Sequence, residues 1–539
     1  MGKIRFFAAL WAAKAARLAM RLLGRNATYL PGSIAIKLCP QFLGYVKKPG
    51  TVVAVTGTNG KTTVCNMLGD ILRDNGYTLL DNRYGSNTNS GIASSLLAGV
   101  TACNRSRFDF AVFEVDERSS LLIYKYVKPD YLLITNLFRD SVKRNAHTEF
   151  ISGILNDAIP DETTLILNAD DLISGRIKPR NQRVYFGIDP LAGELQQRDS
   201  IIQDLRSCPA CGAPVQFEFQ RYHHIGRVRC ACGFSSPAPD YAVSAVEYGR
   251  ARMTVRDNGG EEQYHLVNNS IFNIYNEVAV IALLRVLGLD AEKIRASMEK
   301  IQITDTRYVE QYAGGVKLVA HIAKGQNPIA CSRVFEYVSR EPGDKVVFIM
   351  VDDIYDNKDT SENLTWIYET DFEFLNRDSI RRIYVGGPRS QDYRLRMLLA
   401  GIPDERITAF RHERDFLKYA DLSGVDSVYI LYDLYQYDLA MKLKDETAAA
   451  LEAQEATNPV RVPRAAHRVH IDRVTLGYAC VQTGVNPDRW ELRPVWDFFG
   501  RRHFRYYDAQ EDVWRERYET NLLTSWLTID AVSGEVIER

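Results

Sequence analysis

A chain of 539 residues with 46% apolar and 25% charged residues and a formal net charge of −1 is too long for one hydrophobic core, and three or four domains are expected. That balance excludes bulk nucleic-acid binding, and no apolar run reaches the roughly 18 residues of a membrane span. Nine cysteines, four of them between 208 and 232, suit a reducing, cytoplasmic compartment and a metal site better than a disulfide framework.

Residues 3–25 place Phe6, Phe7, Leu10, Trp11, Leu18, Leu22 and Leu23 between Lys3, Arg5, Lys14, Arg17, Arg21 and Arg25. Basic residues recur through the segment instead of preceding an apolar block, so a secretory signal is not expected. The pattern is a basic amphipathic helix. Its apolar partner is either the anionic lipid of the inner membrane leaflet or the next domain, which periodicity alone does not separate.

The stretch 52–64 reads Val-Val-Ala-Val-Thr-Gly-Thr-Asn-Gly-Lys-Thr-Thr-Val. An apolar, β-branched run predicts a buried parallel strand that breaks at Gly57 into a loop ending in Gly60-Lys61-Thr62, followed by a helix over 63–75. Glycines let backbone N–H groups approach phosphate oxygens, and the helix N-terminus adds its partial positive charge. Gly57, Thr58, Asn59, Gly60, Lys61, Thr62 and Thr63 are therefore the candidate ATP cradle, with Lys61 on the β/γ-phosphates and the Thr62 hydroxyl on Mg2+. Only two residues separate Gly57 from Gly60, where the general phosphate-loop pattern has four before its final Gly-Lys-Thr.

Residues 82–88 form a polar loop that could lie over substrate. The segment 108–115 predicts a strand ending in Glu114-Val-Asp-Glu117, and 131–134 a strand ending in Thr135-Asn136-Leu-Phe-Arg-Asp140. Acidic and amide side chains at the carboxyl ends of parallel strands are where α/β folds place ligand chemistry. Glu114 is the candidate direct or outer Mg2+ ligand and Asn136 a nucleotide contact; Asp116 and Asp140, taken individually, are read as helix N-caps or solvated loop residues. A strand over 164–167 leads into Asn168-Ala-Asp-Asp171. Next, Cys208-Pro-Ala-Cys211-Gly and Cys230-Ala-Cys232-Gly match a zinc ribbon with four thiolate ligands, although its second pair is Cys-x-Cys. His223 and His224, between the pairs, are expected at the surface. A helix over 271–287 carries Asn273 and Asn276 one turn apart, for adenine or ribose contact or else for capping.

From residue 312 a second α/β unit is expected, with strands at 316–320, 346–351, 382–385 and 427–431. Its loop Asp352-Asp353-Ile-Tyr-Asp356-Asn-Lys-Asp359 lacks the glycine and terminal glutamate of an EF-hand. Residues 444–465 read as a helix running into a Pro-containing linker, and the aromatic-rich segment 466–539 ends in a strand-turn-strand with Ser533-Gly534 as its hairpin signal.

Taken in order, the loop 56–63, Glu114-Val-Asp-Glu117, Thr135 to Asp140, Asn168 to Asp171, the cysteine ribbon, Asn273-Ile-Tyr-Asn276 and the acidic loop before Trp366 resemble the MurT family, Mur-ligase-like subunits of lipid II isoglutaminyl synthase, over roughly residues 1–440. The resemblance implies an α/β fold: a Mur-ligase-like, phosphate-loop, parallel-sheet central domain (46–311, with a zinc-ribbon insertion at about 203–238) after an amino-terminal lead-in (1–45). A second, Rossmann-like α/β domain would follow (312–443), then a linker (444–465) and a small β-rich appendage (466–539) that the family does not share. It implies activation of the α-carboxylate of D-glutamate in the lipid II stem peptide by ATP, and amidation with ammonia from a GatD-type glutaminase, docked on the second domain. It also implies that the acidic loop supplies the glutaminase with an aspartate, Asp356, with Asp359 and Asp353 as alternatives. A stand-alone amino-acid ligase and a non-catalytic nucleotide-binding scaffold are the competing readings; activity without glutaminase would mark the first, ATP binding without turnover the second.

Overall fold

The structure, a computed structural model, describes residues 2–83, 86–139, 147–191, 200–202, 204–268, 270–301, 308–323, 325, 327–350, 364–457, 467–482, 490–508, 513–521 and 527–530, with backbone alone for 434 and from 454 onward. The candidate aspartates Asp353, Asp356 and Asp359, together with Asp140 and the Ser533-Gly534 signal, lie outside the described residues. The chain divides into two compact units, Met1–Glu310 with Val319–Lys444, and Gln311–Leu318 with Asp445–Arg539.

The first unit is built on a nine-stranded sheet. Its strands begin with β1 (Thr51–Thr56), β2 (Leu79–Asp81), β3 (Phe110–Glu114), β4 (Tyr131–Ile134), β5 (Thr164–Asn168) and β6 (Arg183–Ile188). A separate antiparallel hairpin follows, β7 (Gln216–Tyr222) and β8 (Ile225–Arg229), and the sheet resumes with β9 (Tyr241–Glu247), β10 (Arg252–Asp257) and β11 (Gly260–His265). The order is β11-β10-β9-β6-β5-β4-β1-β3-β2. Neighbours are parallel from β2 across to β9, and β10 and β11 extend the sheet antiparallel.

β1 is apolar along its length because both of its faces are covered. Val53 and Val55 pack with Val64, Leu68 and Ile71 of the helix Lys61–Asp74, whereas Val52 and Ala54 pack with Phe6, Leu10, Phe42 and Ile92 on the other side. The chain lays β2 and β3 on one side of β1 and then returns to place β4 on the other. Strand order therefore reverses at β1, and its carboxyl end opens the crevice where doubly wound sheets take ligands.

The second sheet comprises β12 (Tyr308–Ala313), β13 (Val316–Ile322), β14 (Lys345–Met350), β15 (Ile380–Gly386), β16 (Ile407–Phe410) and β17 (Ser427–Tyr432), in the order β12-β13-β17-β14-β15-β16. β14 runs parallel to β15 and β17, and β15 to β16. In the second unit a separate antiparallel sheet joins β18 (His467–Gln482), β19 (Trp490–Asp508) and β20 (Val513–Asn521), with β21 (Leu527–Asp530) on β19.

Candidate functional site

The turn after β1 needs its glycines. Gly57 has φ +125° and Gly60 φ +90°, and a Cβ at Gly60 would stand 2.3 Å from Asn276 Oδ1. The first hydrogen bond of the helix Lys61–Asp74 runs from Val64 N–H to the Gly60 carbonyl at 2.9 Å. The N–H groups of Lys61, Thr62 and Thr63 thus have no acceptor within the helix. Gly60→Ala is expected to cost about 1–3 kcal/mol of stability, the usual penalty for forcing a side chain into the left-handed region. It should also displace Asn276, and denaturant unfolding with ATP titration reads both effects.

Lys61 Nζ bonds the Gly57 carbonyl and pairs with Glu117 Oε1 at 3.0 Å; Glu117 Oε1 also accepts from Gly57 N–H at 2.9 Å. Burial alone would push the Lys61 ammonium down, but Glu117, helped by Glu114 and Asp116, holds it above its ordinary value, so it stays charged. Thr62 Oγ1 donates to Glu114 Oε2 at 2.8 Å, and Asn87 Nδ2 donates to Glu114 Oε1 at 3.1 Å. A hydroxyl and a carboxylate meeting beside a phosphate turn form an all-oxygen donor set that fits Mg2+. Asp116 is occupied differently, its Oδ1 accepting from the N–H groups of Arg118 and Ser119.

The β4 end closes the turn. Asn136 Oδ1 accepts from Asn59 N–H at 3.1 Å, its carbonyl accepts from Thr58 N–H at 2.8 Å, and its Nδ2 reaches the Asn59 carbonyl at 3.1 Å. Asn276 comes to the same turn from the helix Ile271–Val286, and its Nδ2 donates to Asn273 Oδ1 at 3.3 Å. The helix is capped by Ser270, whose Oγ accepts from Asn273 N–H, so capping does not account for the asparagine side chains. Asn59, Gly60, Lys61, Thr62, Glu114, Asn136 and Asn276 are thus brought together.

Next to Asn276 on that helix, buried Glu277 accepts from the N–H groups of Val267 and Asn268. Burial pushes its carboxyl up to about 8 in spite of both donors. Between the ordinary value of 4.5 and about 8 the folded chain therefore holds a proton that the unfolded chain has lost. Stability is accordingly expected to fall as pH rises through that window, and Glu277→Gln to flatten the fall in calorimetric melts.

Four contributors were not singled out by sequence: Glu117, Asn87, Asn327 and Arg139. Asn327, which caps the helix Pro328–Arg340, donates from Nδ2 to Asn59 Oδ1 at 3.2 Å. Arg139 pairs with Asp204 and, at 2.8 Å, with Glu369 of the helix Thr365–Glu369. His223 and His224 are not at the surface: they are 0% and 1% exposed. His223 turns the hairpin with φ +45°, and His224 Nε2 meets Asp171 Oδ1 at 3.2 Å against the Phe138 ring. Burial, with Arg333 and His224 alongside, holds His223 well below the usual imidazole range.

The four ribbon cysteines converge in spite of the Cys-x-Cys spacing. Their sulfurs all lie within 4.8 Å of one another, with Cys208 Sγ 3.7 Å from Cys232 Sγ and Cys211 Sγ 3.5 Å from Cys230 Sγ. Sulfurs around a tetrahedral ion at about 2.3 Å stand about 3.8 Å apart, so the cluster is compatible with a metal site. None of the eight described cysteines is in a disulfide.

Comparison with known proteins bears on this site. The family model for the Mur ligase middle domain matches residues 55–210, and the model described as MurT ligase C-terminal matches 325–444. A curated relative, the lipid II isoglutaminyl synthase (glutamine-hydrolyzing) subunit MurT of Staphylococcus aureus (strain COL), is 32% identical over 419 residues, which cover 77% of this chain and 92% of that protein. This chain belongs to the MurT family. The subunit of the same name from Streptococcus pneumoniae (strain ATCC BAA-255 / R6) is 29% identical over 78% of this chain and 93% of its own length. Among solved structures, a pseudomurein peptide ligase type C from Methanothermus fervidus aligns with TM-score 0.56 and 20% identity over 76% of this chain and 81% of that one. The MurF ligase from Thermotoga maritima in complex with ADP aligns with TM-score 0.50 and 16% identity, over 79% and 85%. These two likenesses show the Mur-ligase fold.

As a MurT-family chain the protein is an ATP-binding ligase of peptidoglycan synthesis and a subunit of a larger enzyme, and its family implies ATP and Mg2+. No helix among the described residues is long and apolar enough to cross a membrane.

Proposed function

We propose that the chain is the synthetase subunit of a lipid II isoglutaminyl synthase, activating the α-carboxylate of D-glutamate in the stem peptide for amidation. The observation that carries this reading is the meeting of Lys61, Thr62 and Glu114 at the carboxyl end of β1, in a chain matching 92% of a relative so named. A carboxylate is a poor electrophile. Transfer of the γ-phosphoryl group to one carboxylate oxygen yields an acyl phosphate and ADP; ammonia then attacks the acyl carbon and phosphate leaves, giving D-isoglutamine. Bound Mg2+ would neutralise charge on the transferring group. In this reading Lys61 stays protonated against the phosphates, Thr62 and Glu114 hold the ion, and Asn136 and Asn276 fix the turn and the nucleoside end.

Ammonia is assigned to a GatD-type glutaminase docked on the second α/β domain. The loop between β14 and the helix Thr365–Glu369 would supply its aspartate, Asp356, or else Asp359 or Asp353. The cysteine cluster is assigned a structural Zn2+. The enzyme is assigned to the cytoplasmic side of the membrane that carries lipid II, a reading that nucleotide chemistry and free thiols support.

The test is co-purification with a candidate glutaminase, then mass spectrometry of lipid II after incubation with ATP, Mg2+ and glutamine. Conversion of acid to amide that requires both subunits supports the reading. Amino-acid addition without a glutaminase, or amidation that survives loss of Lys61, overturns it.

A further inference from the structure

The first fifty residues contain nine Lys and Arg and no Asp or Glu, whereas the other 489 contain 58 basic and 68 acidic residues. This concentration of charge coincides with an unusual helix. The helix Gly2–Leu22 docks on the first unit through Phe6, Ala9, Leu10 and Ala13, each at most 2% exposed. Apolar docking therefore uses one face, and from the other the Trp11 indole N–H reaches back, donating to the Ala102 carbonyl at 3.1 Å. Ile4, Trp11, Leu18 and Leu22 recur at intervals of seven, seven and four residues, so they share another face. They are 79%, 57%, 61% and 80% exposed.

A helix whose only partner is its own domain turns polar residues outward. This one turns outward a second apolar stripe, with Lys3 and Arg21 along one edge of it and Arg25 just past the helix end, after Gly24 at φ +68°. None of these three has an ion pair among the described residues, and no acidic side chain is nearby in sequence. Burial chiefly, and the neighbouring Arg21 in addition, holds the Arg17 guanidinium below its ordinary range.

We infer that this face lies on the anionic surface of a bilayer, with the Ile4-Trp11-Leu18-Leu22 stripe among the acyl chains and the flanking cations against the headgroups. Charge selects the occupant. A second copy of the chain would oppose one uncompensated cationic face with another, whereas an anionic leaflet supplies both the apolar depth and the counter-charge. The helix is too polar to span, so the contact is peripheral and reversible.

The inference is independent of the amidation reading, because its test contains no catalytic step. The full chain is sedimented with vesicles of phosphatidylcholine alone, or of phosphatidylcholine mixed equally with phosphatidylglycerol. Binding is expected only to the mixed vesicles, weakening as salt is raised across the physiological range. The double variant Leu18→Asp, Leu22→Asp should bind about ten-fold less or worse, and Arg21→Glu, Arg25→Glu should lose the preference for anionic lipid. All four side chains are exposed, so melting temperature and ATP binding should match the parent. Equal binding to both vesicle types, binding to neither, or binding unaffected by the variants overturns the inference, as does a dimer in solution that either variant dissociates.

Discussion

Lys61→Ala should lower ATP-dependent ligation by a factor of about 10²–10³, the usual cost of deleting one preorganised charge-stabilising donor. The ammonium pairs with Glu117 and bonds the Gly57 carbonyl, and so stands fixed at the mouth of the turn with its charge secured. A phosphoryl group in transfer spreads charge over its outer oxygens, and a pre-positioned cation stabilises that charge without reorganising at the moment of reaction. The variant also leaves Glu117 beside the turn without its cation, although Gly57 N–H still donates to it. Stability should fall as well, and the two effects can be separated. Lys61→Ala combined with Glu117→Gln removes the unpaired charge while an amide oxygen can still accept from Gly57, so the double variant should regain melting temperature and remain inactive. If Lys61→Ala keeps turnover within a few-fold of the parent, the turn is not the phosphoryl-transfer site.

The legible part of this site is the part that is contiguous. Gly57 to Thr63 carry their own constraints: glycines where φ is positive, a lysine and a threonine at the helix start, and a buried strand before them. Glu114 and Asn136 were readable because each ends a strand beside β1. What stayed hidden is long-range. Asn327 meets Asn59 across 268 positions and Arg139 meets Glu369 across 230, and neither residue type signals its partner. Glu117 was visible as one acid among three, but only the fold shows that Gly57 and Lys61 converge on it. His223 and His224 mislead for a related reason. A polar pair at a hairpin turn reads as exposed, yet Phe138, Asp171 and Ser200 from other segments cover it. The antiparallel strands β10 and β11 are interleaved with charged residues such as Arg252, Arg256 and Glu262; as an extension at the sheet edge they lack the continuous apolar signature of β1.

Loss of the ribbon metal should unfold the knuckles and spare the hairpin between them, because two different anchors hold the insertion. The first is the cysteine cluster, whose knuckles otherwise rest on short-range backbone bonds: Cys208 N–H to the Ala213 carbonyl, Gly212 N–H to the Cys208 carbonyl, Val215 N–H to the Arg206 carbonyl, Cys230 N–H to the Phe234 carbonyl and Gly233 N–H to the Cys230 carbonyl, with glycines at φ +75° (Gly212) and +91° (Gly233). With so little apolar burial of their own, such knuckles are expected to depend on metal, whose binding supplies on the order of 10–16 kcal/mol in isolated zinc-finger peptides. The second anchor is Asp170 at the end of β5, fully buried, which accepts from Arg221 of β7, Arg227 of β8 and the Tyr275 hydroxyl. That network needs no metal, and Tyr275 adjoins Asn276 at the phosphate turn. One equivalent of Zn2+ per chain is therefore expected in the purified protein. Cys232→Ser, or a strong chelator, should release it and open residues 206–214 and 229–236 to protease, while β7, β8 and ATP binding persist. Asp170→Asn should do the reverse, keeping the metal while lowering the melting temperature and weakening ATP binding, since it leaves the buried Arg221 and the half-buried Arg227 guanidinium groups short of their shared carboxylate. Cleavage that is the same with and without metal, in protein free of zinc as isolated, would show that the cluster is only four reduced thiols.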